Sequence, residues 1–295
     1  NYWFTAKPVC LNWWYNQIGI PKTLGTVFIL FEKQLTPVEK QNAITVMENA
    51  KFGMTGQNKV WLAGNVMMRA LLQNDYELVK MARDTIASEI VTGGTEGIKD
   101  DWCFHQHGAQ QQFGNYGLSF VSGMSFFSGL FSGTSLAFDD KQLSILSTLI
   151  DKGYRWVIWK GMMDVNALGR QLFHHAPVHK ALSLAFAASE LGGGESDECM
   201  AVATALLRDN YPALTVNVLT GHKHFWQSDY TIHRRPSWMA SIKMASDRII
   251  GTEMMNGDNM KGDYMADGAT YIYKDGEEEE LSVIKIVRNK KEFTK

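Results

Sequence analysis

The amino-acid sequence predicts a multi-layer α+β protein in which helices come first and an antiparallel β region follows. Up to about residue 210, apolar residues recur at helical spacing in separate stretches. After Pro212 the period shortens to two. A third observation removes the main competitor. No Gly-x-Gly-x-x-Gly follows a strand, and neither a Walker A nor a Gly-x-Ser-x-Gly motif is present. Repeating β-α-β units with nucleotide or serine-hydrolase chemistry therefore have no motif behind them. The expected domains are helical 1–211 and antiparallel β 212–295.

The elements follow in order. Thr36-Pro37-Val38-Glu39 is a capping box with proline at the first helical position, and it opens a helix whose apolar face is Ala43, Ile44 and Met47. Leu78, Val79, Ala82, Ile86 and Ile90 predict a second helix, ended by Gly93-Gly94. Leu143, Leu146 and Ile150 mark a third. Val178, Ala181, Leu182, Ala185 and Phe186 mark a fourth, stopped by Gly192-Gly193-Gly194. Ser196 caps a fifth through Leu206 and Leu207. The Ser-Phe and Ser-Gly pairs of 117–133 read as tight packing. Two long connections rich in Gly, Asn and aromatics, 93–117 and 160–177, are where function is expected. Strands are expected at 214–218, 270–273 and 282–286, and the run Glu277–Glu280 reads as a solvated turn or tail.

Composition sets limits. A chain of 295 residues makes one large domain or two ordinary ones. Apolar residues at 45% and charged residues at 20% exclude a wholly disordered chain. A net charge of −2 with pI about 6.5 argues against a nucleic-acid partner. No apolar run is long enough for membrane insertion. Cys10, Cys103 and Cys199 are far apart and form no C-x-x-C, so no zinc ribbon or dithiol site is suggested. Nine Trp against six Pro fit a helical core with a stacking surface for flat ligands such as sugars. The chain begins at Asn1 without Met or a leader, so either a leader has been removed or this is a piece of a longer protein.

Polar and aromatic clusters carry the candidate chemistry. His105 and His107 lie in one loop, with Tyr116 nine residues beyond His107. From spacing, a hydrogen-bonded loop histidine ranks first, a His–Tyr proton-transfer pair second, and a metal pair with Asp100 or Asp101 third. Asn12-Trp13-Trp14 suits stacking on a sugar ring with an amide beside it, or two core tryptophans. Asn58 opens a helix, where an ordinary cap is the plain reading. Arg170 follows Gly169 in a long loop and would bind an anion if it lay in a cleft.

Taken in order, these pieces resemble polysaccharide lyase family 8, the hyaluronate, chondroitin AC and xanthan lyases. The motifs are Asn12-Trp13-Trp14 with Ile18-Gly19-Ile20-Pro21, Thr55-Gly56-Gln57-Asn58, and His107 through Tyr116-Gly117. Asp164-Val165-Asn166 with Gly169-Arg170, Asp229 through Arg234, and Glu253 with Asn256-Gly257-Asp258-Asn259 and Gly268-Ala269-Thr270-Tyr271 follow. The resemblance runs from about residue 3 to residue 275. It implies an incomplete α/α toroid followed by the start of an antiparallel β-sandwich domain, with the toroid's N-terminal part missing and the β region truncated. His174 stands where the family usually shows a second Arg, and Asp258 where Glu is frequent.

The resemblance also implies an activity: β-elimination in an acidic, uronic-acid polysaccharide, giving 4,5-unsaturated ends. Asn58 would hold the uronate carboxylate, and Tyr116 would take the C5 proton and protonate the leaving oxygen. Arg170 and His107 would lower the Tyr116 phenol, which needs a depression of roughly 3 units, about 4 kcal/mol. His107 could instead be the base. Glu253 would orient Arg170. Asn12, Trp13, Trp14, His174 and Arg234 would bind substrate. Neither metal nor cofactor is implied, nor a protein partner, and the substrate places the protein outside the cell or in the periplasm. Two other readings remain: a uronan-binding protein without turnover, and an α/α glycoside hydrolase, which needs two carboxylates about one bond.

Overall fold

The structure, a computed structural model, describes residues 2–191, Ala203 and 219–274. The expected strands 214–218 and 282–286, the helix opened by Ser196, Cys199 and the Glu277–Glu280 run lie outside the described residues. The chain divides into two compact units. The first holds Asn1–Ile90 and Gly133–Phe138, and the second holds Val91–Ser132 and the described residues from Asp139 onward.

The first unit is helical: α1 Tyr2–Ala6, α2 Ile20–Leu30, α3 Pro37–Met47, α4 Gly56–Gln73 and α5 Tyr76–Ala87. Both bonds of the Thr36/Glu39 capping box form at α3. Asp75 caps α5, whose buried Val79, Ala82 and Ile86 keep the expected spacing. Helices α2, α3 and α4 enclose Phe28, Ala43, Ile44, Met47 and Leu72. A second small core joins Ile18, Ala50 and Leu62 to Trp14 and Trp61.

The second unit carries both helices and sheet. A two-residue hairpin, β1 Gly97–Ile98 with β2 Phe104–His105, leads through a π-helical turn at Phe113–Gly117 into α6 Leu118–Phe131. Helix α7 Asp140–Thr148 follows, capped by Asp139 and Gln142. The hairpin β3 Ile158–Trp159 with β4 Met162–Met163 precedes α8 Ala176–Leu191, which packs on α6. The last layer is an antiparallel sheet in chain order: β5 Gly221–Phe225, β6 Tyr230–Arg235, β7 Trp238–Lys243 and β8 Ala269–Tyr273.

Strands β5, β6 and β7 alternate in burial whereas β8 does not, and the buried face mixes polar with apolar side chains. Tyr230 faces Lys243, Ile232 faces Ser241 and Arg234 faces Met239 across β6 and β7. All six are buried. Burial at this density demands partners, and the 164–166 loop supplies several. Asp164 accepts from the hydroxyls of Tyr230 and Tyr273, the latter at 2.6 Å. Asn166 donates to Ser241 Oγ at 3.0 Å and to the Ala269 carbonyl at 2.9 Å. The Asp164-Val165-Asn166 motif therefore fastens the loop that precedes Arg170 onto the sheet.

Candidate active site

Four of the expected site residues meet in the second unit: His107, Tyr116, Arg170 and Glu253. Each arrives on a locally explained piece of backbone. His107 has φ 61° and Gly108 φ 85°, a left-handed pair that turns the chain sharply after β2. Glu96 holds that turn, accepting from the Gly108 amide at 2.9 Å and from Gln106 Nε2. A histidine in this conformation costs about 1–3 kcal/mol, which is common at functional sites. Tyr116 rides the π-helical turn. The turn closes on the Gln112 carbonyl, which accepts from Gly117 N at 2.8 Å. Arg170 follows Gly169, whose φ of 67° suits glycine. Glu253 sits between β7 and β8, beside a tight turn in which Asn256, Gly257 and Asn259 all have positive φ. Asn259 Nδ2 holds the Glu253 carbonyl at 3.1 Å.

Glu253 is the hub. It is 5% exposed, and His107 Nδ1 lies 2.6 Å from its Oε1. Arg170 Nη1 donates to Oε2, and Gln112 Nε2 donates to the same oxygen at 3.2 Å. Burial alone would raise this carboxyl. The hydrogen bond from His107 and the charge of Arg170 outweigh burial and hold it below the ordinary value. An ionised carboxylate only accepts, so His107 donates from Nδ1, and in the neutral imidazole Nε2 is then the basic nitrogen. Arg170 also contacts Asp258, with Nε 3.5 Å from Oδ2.

Tyr116 completes the cluster. Its ring meets His107 edge-on at 4.7 Å between centroids, and the Arg170 guanidinium lies 5.7 Å from its centre and hydrogen-bonds the phenol. The expected depression of this phenol is not what the structure gives. Burial pushes the Tyr116 pKa up, and the bond and charge of Arg170 offset only part of it. The nearby Glu253 carboxylate raises it further. Tyr116 therefore rests as a protonated phenol, because desolvation of a phenolate outweighs one cation already shared with a carboxylate.

Of the other expected residues, Arg234 is buried, and its guanidinium donates to the carbonyls of Leu219, Arg155, Trp156 and Ile158. Burial lowers its pKa to about 10. These bonds commit Nε and Nη1 of Arg234 to backbone, a structural role beside the substrate one expected of it. His174 is exposed and stacks against His175 at 3.5 Å between centroids. Asn58, Asn12, Trp13 and Trp14 belong to the first unit. Asn58 lies in the first turn of α4, 6% exposed, and its Oδ1 has no hydrogen-bond partner among the described residues. Asn12 Oδ1 accepts from Trp14 N at 3.0 Å, so it caps a helical start and not a loop. Trp13 is 44% exposed. Trp14 is half-buried, edge-on to Trp61 at 5.6 Å. A Cβ on Gly19 would meet the Trp14 ring at 2.7 Å, so glycine there is needed for this packing. The paired-platform expectation thus divides, with Trp13 presented to solvent and Trp14 in a core.

His105 is hydrogen-bonded as expected, but it sits in strand β2 and not in a loop. It is buried, its Nε2 is 2.8 Å from Ser228 Oγ, and burial lowers its pKa to about 4. The two imidazoles have separate partners, Ser228 for His105 and Glu253 for His107. Among the described residues no group of three His, Cys, Asp or Glu could hold a metal ion. Gln112 and Glu96 are functional supports that the sequence reading did not single out; the run Gln110-Gln111-Gln112 was the signal available for the first.

Comparison with known proteins decides the family. The model for the polysaccharide lyase family 8 N-terminal alpha-helical domain matches residues 1–191, and that for the family's super-sandwich domain matches 220–285. The chain belongs to polysaccharide lyase family 8. Within it, the chain is similar to a chondroitinase-AC of Pedobacter heparinus, 30% identical over 285 residues, covering 94% of this chain and 40% of the relative. It is also similar to a xanthan lyase of a Bacillus species, 26% identical, covering 91% of this chain and 33% of that one. A solved chondroitinase AC lyase, from a study of oligosaccharide complexes, superposes with a TM-score of 0.80 at 28% identity, covering 92% of this chain and 41% of that one. The chain spans about two fifths of the length of these chondroitinase relatives. The expected helical-then-antiparallel architecture is the family's. Among the described residues no helix is long and apolar enough to cross a membrane.

Proposed function

We propose that this chain forms the catalytic region of a lyase that cleaves uronic-acid polysaccharides by β-elimination, outside the cell or in the periplasm. The observation that carries the reading is the Glu253 carboxylate joining His107 Nδ1 to Arg170 beside the Tyr116 phenol. The names of the family relatives, chondroitinase and xanthan lyase, support the substrate class.

The reaction removes a C5 proton and breaks the C4–O4 bond, and the electron pair of the C–H bond becomes the C4=C5 double bond. The difficulty is the adjacent carboxylate, whose negative charge opposes a carbanion at C5. Asn58 is assigned to hydrogen-bond that carboxylate and disperse its charge. His107 takes the C5 proton at Nε2, since Glu253 fixes the tautomer that leaves this nitrogen basic. Tyr116, resting as the phenol, gives its proton to the departing O4. Proton exchange from His107 back to Tyr116 restores the site. One observation favours a second division of labour: Arg170 hydrogen-bonds Tyr116 and its charge lowers the phenol. An ionised Tyr116 would then take the proton itself, with His107 polarising the site.

The test is ultraviolet absorbance of unsaturated uronide on mixing with hyaluronan, chondroitin sulfates and xanthan. Absorbance from any of them supports the lyase. Saturated ends alone would indicate a hydrolase, and binding without cleavage a uronan-binding protein. Turnover retained by His107→Ala but lost in Tyr116→Phe would select the second division of labour.

A further inference from the structure

Lys180 is a buried cation with no counter-ion among the described residues. It lies in α8, 6% exposed, and among the described residues no carboxylate pairs with it. Lysine is almost never buried unless paired. Among the described residues its ammonium reaches two neutral acceptors: the backbone carbonyl of Gly114, and Gln171 Oε1 at 2.6 Å. The Phe173 ring lies 5.9 Å away.

These acceptors belong to the two segments that carry the proton-transfer pair. Gly114 is in the π-helical turn, two residues before Tyr116, and Gln171 directly follows Arg170. The segments press together at that point. A Cβ on Gly114 would stand 2.8 Å from Leu168 Cα and 2.9 Å from the Ala167 carbonyl oxygen. The hydrogen bond between Arg170 and Tyr116 spans the same two segments.

We infer that Lys180 is a positioning residue for the elimination: its ammonium clasps the Tyr116 turn to the Arg170 loop and so sets the distance between phenol and guanidinium. The inference rests on the lyase reading above. A point donor with three hydrogens can serve both acceptors at once, whereas a neutral apolar side chain leaves both unpaired.

The clasp has its own titration. Burial pushes the Lys180 pKa down to about 8. The groups that face it are the Gly114 carbonyl on the turn, and Gln171 and Phe173 on the loop, and burial is what shifts it. Helices and strands packed on α8 add little: α6 and β4 bring no titratable side chain, and Asp140 and Lys141 of α7 are exposed. His179 and Glu190, on α8 itself, are also exposed. Loss of the proton above pH 8 replaces charge-assisted bonds with weaker neutral ones, and kcat should fall there.

The experiment is Lys180→Met in the intact protein, with kcat, KM and their pH profiles on a uronan that the wild type cleaves. Expected are a fall in kcat of roughly 10–100-fold, a KM changed less than about threefold, and no inflection near pH 8. A kcat within twofold of wild type, or a loss seen in KM alone, overturns the inference. If that variant does not fold, Gln171→Leu decides: about a 3–10-fold lower kcat at unchanged KM is expected, and an unchanged kcat overturns it. Should the wild type cleave no uronan, the lyase reading fails by itself. The clasp is then judged by hydrogen exchange, which should quicken in 113–117 and 168–172 alone; equal exchange in either variant overturns it.

Discussion

Glu253 and Asp164 are two buried carboxyls of one unit whose acidities shift in opposite directions. Around Glu253 stand a guanidinium and an imidazole, and its pKa falls against the penalty of burial. Around Asp164 stand hydroxyls of Tyr230, Tyr273 and Ser241, and burial wins, so its pKa rises. Neutral donors stabilise a carboxylate less than cations do at the same depth. The first region keeps a charge that can orient a base, and the second is a polar rivet between loop and sheet.

The sharpest test of this contrast is within the first region. Tyr116→Phe keeps the ring and removes its proton, so kcat/KM should fall by roughly 10²–10⁴-fold while binding is retained. Unsaturated product measured against time, with binding assayed separately, checks it, and near-normal turnover would remove Tyr116 from the chemistry. Next come the carboxyls themselves. Glu253→Gln should lower kcat by roughly 10²–10⁴-fold, since an amide no longer fixes the His107 tautomer. Asp164→Asn should leave kcat of the folded protein unchanged and cost about 1–3 kcal/mol of stability. Equal kinetic damage from both would erase the distinction between the two regions.

Arg234→Met extends the rivet side. It strips four carbonyls of their donor and should destabilise by on the order of 3 kcal/mol, read by denaturant unfolding, with KM of the folded protein unchanged. A raised KM instead would return Arg234 to the substrate. The tryptophans should separate in the same way. Trp13→Ala should raise KM roughly 3–10-fold with kcat intact, the value of about 0.5–1.5 kcal/mol of ring contact. Trp14→Ala should lower the melting temperature through the cavity it leaves among Trp61, Ile18 and Leu62.

The smallest effects are in the pH dependence of stability, and their signs differ. Glu253, held below its ordinary 4.5, stabilises above that pH, and this is lost as pH falls through its folded value. Asp164, raised above 3.8, behaves oppositely: the folded state binds its proton more readily, so its contribution grows as pH falls toward 3.8. The melting-temperature gap between wild type and Glu253→Gln should therefore shrink below pH 4.5, while the gap to Asp164→Asn should widen. Gaps that move together would contradict the opposed shifts.

Much of this was legible from residues. The Thr36 capping box, the face of α5 and the strand at 269–273 follow from patterns that depend only on near neighbours. Helices α2 and α6 were harder. Ile20–Leu30 and Leu118–Phe131 are apolar nearly all round or mixed with Ser and Gly, so neither shows a stripe against a polar face. The two-residue hairpins at 97–105 and 158–163 are too short to have any period. The four residues of the cluster were readable as an ordered set of motifs, since each lies in a short, recurrent stretch.

The sequence by itself determined the order of helix and strand, the family, and the identities of His107, Tyr116, Arg170 and Glu253, because all of these are written in local spacing and side-chain chemistry. Only the tertiary structure decided what each group does with its charge. Two histidines two residues apart went to different fates, His105 to a buried hydroxyl and His107 to a carboxylate 146 positions away. Arg234 was drawn inward to backbone carbonyls, and Tyr116 was left a phenol. Desolvation and partner distance set those outcomes, and both depend on contacts between segments that the linear sequence keeps far apart.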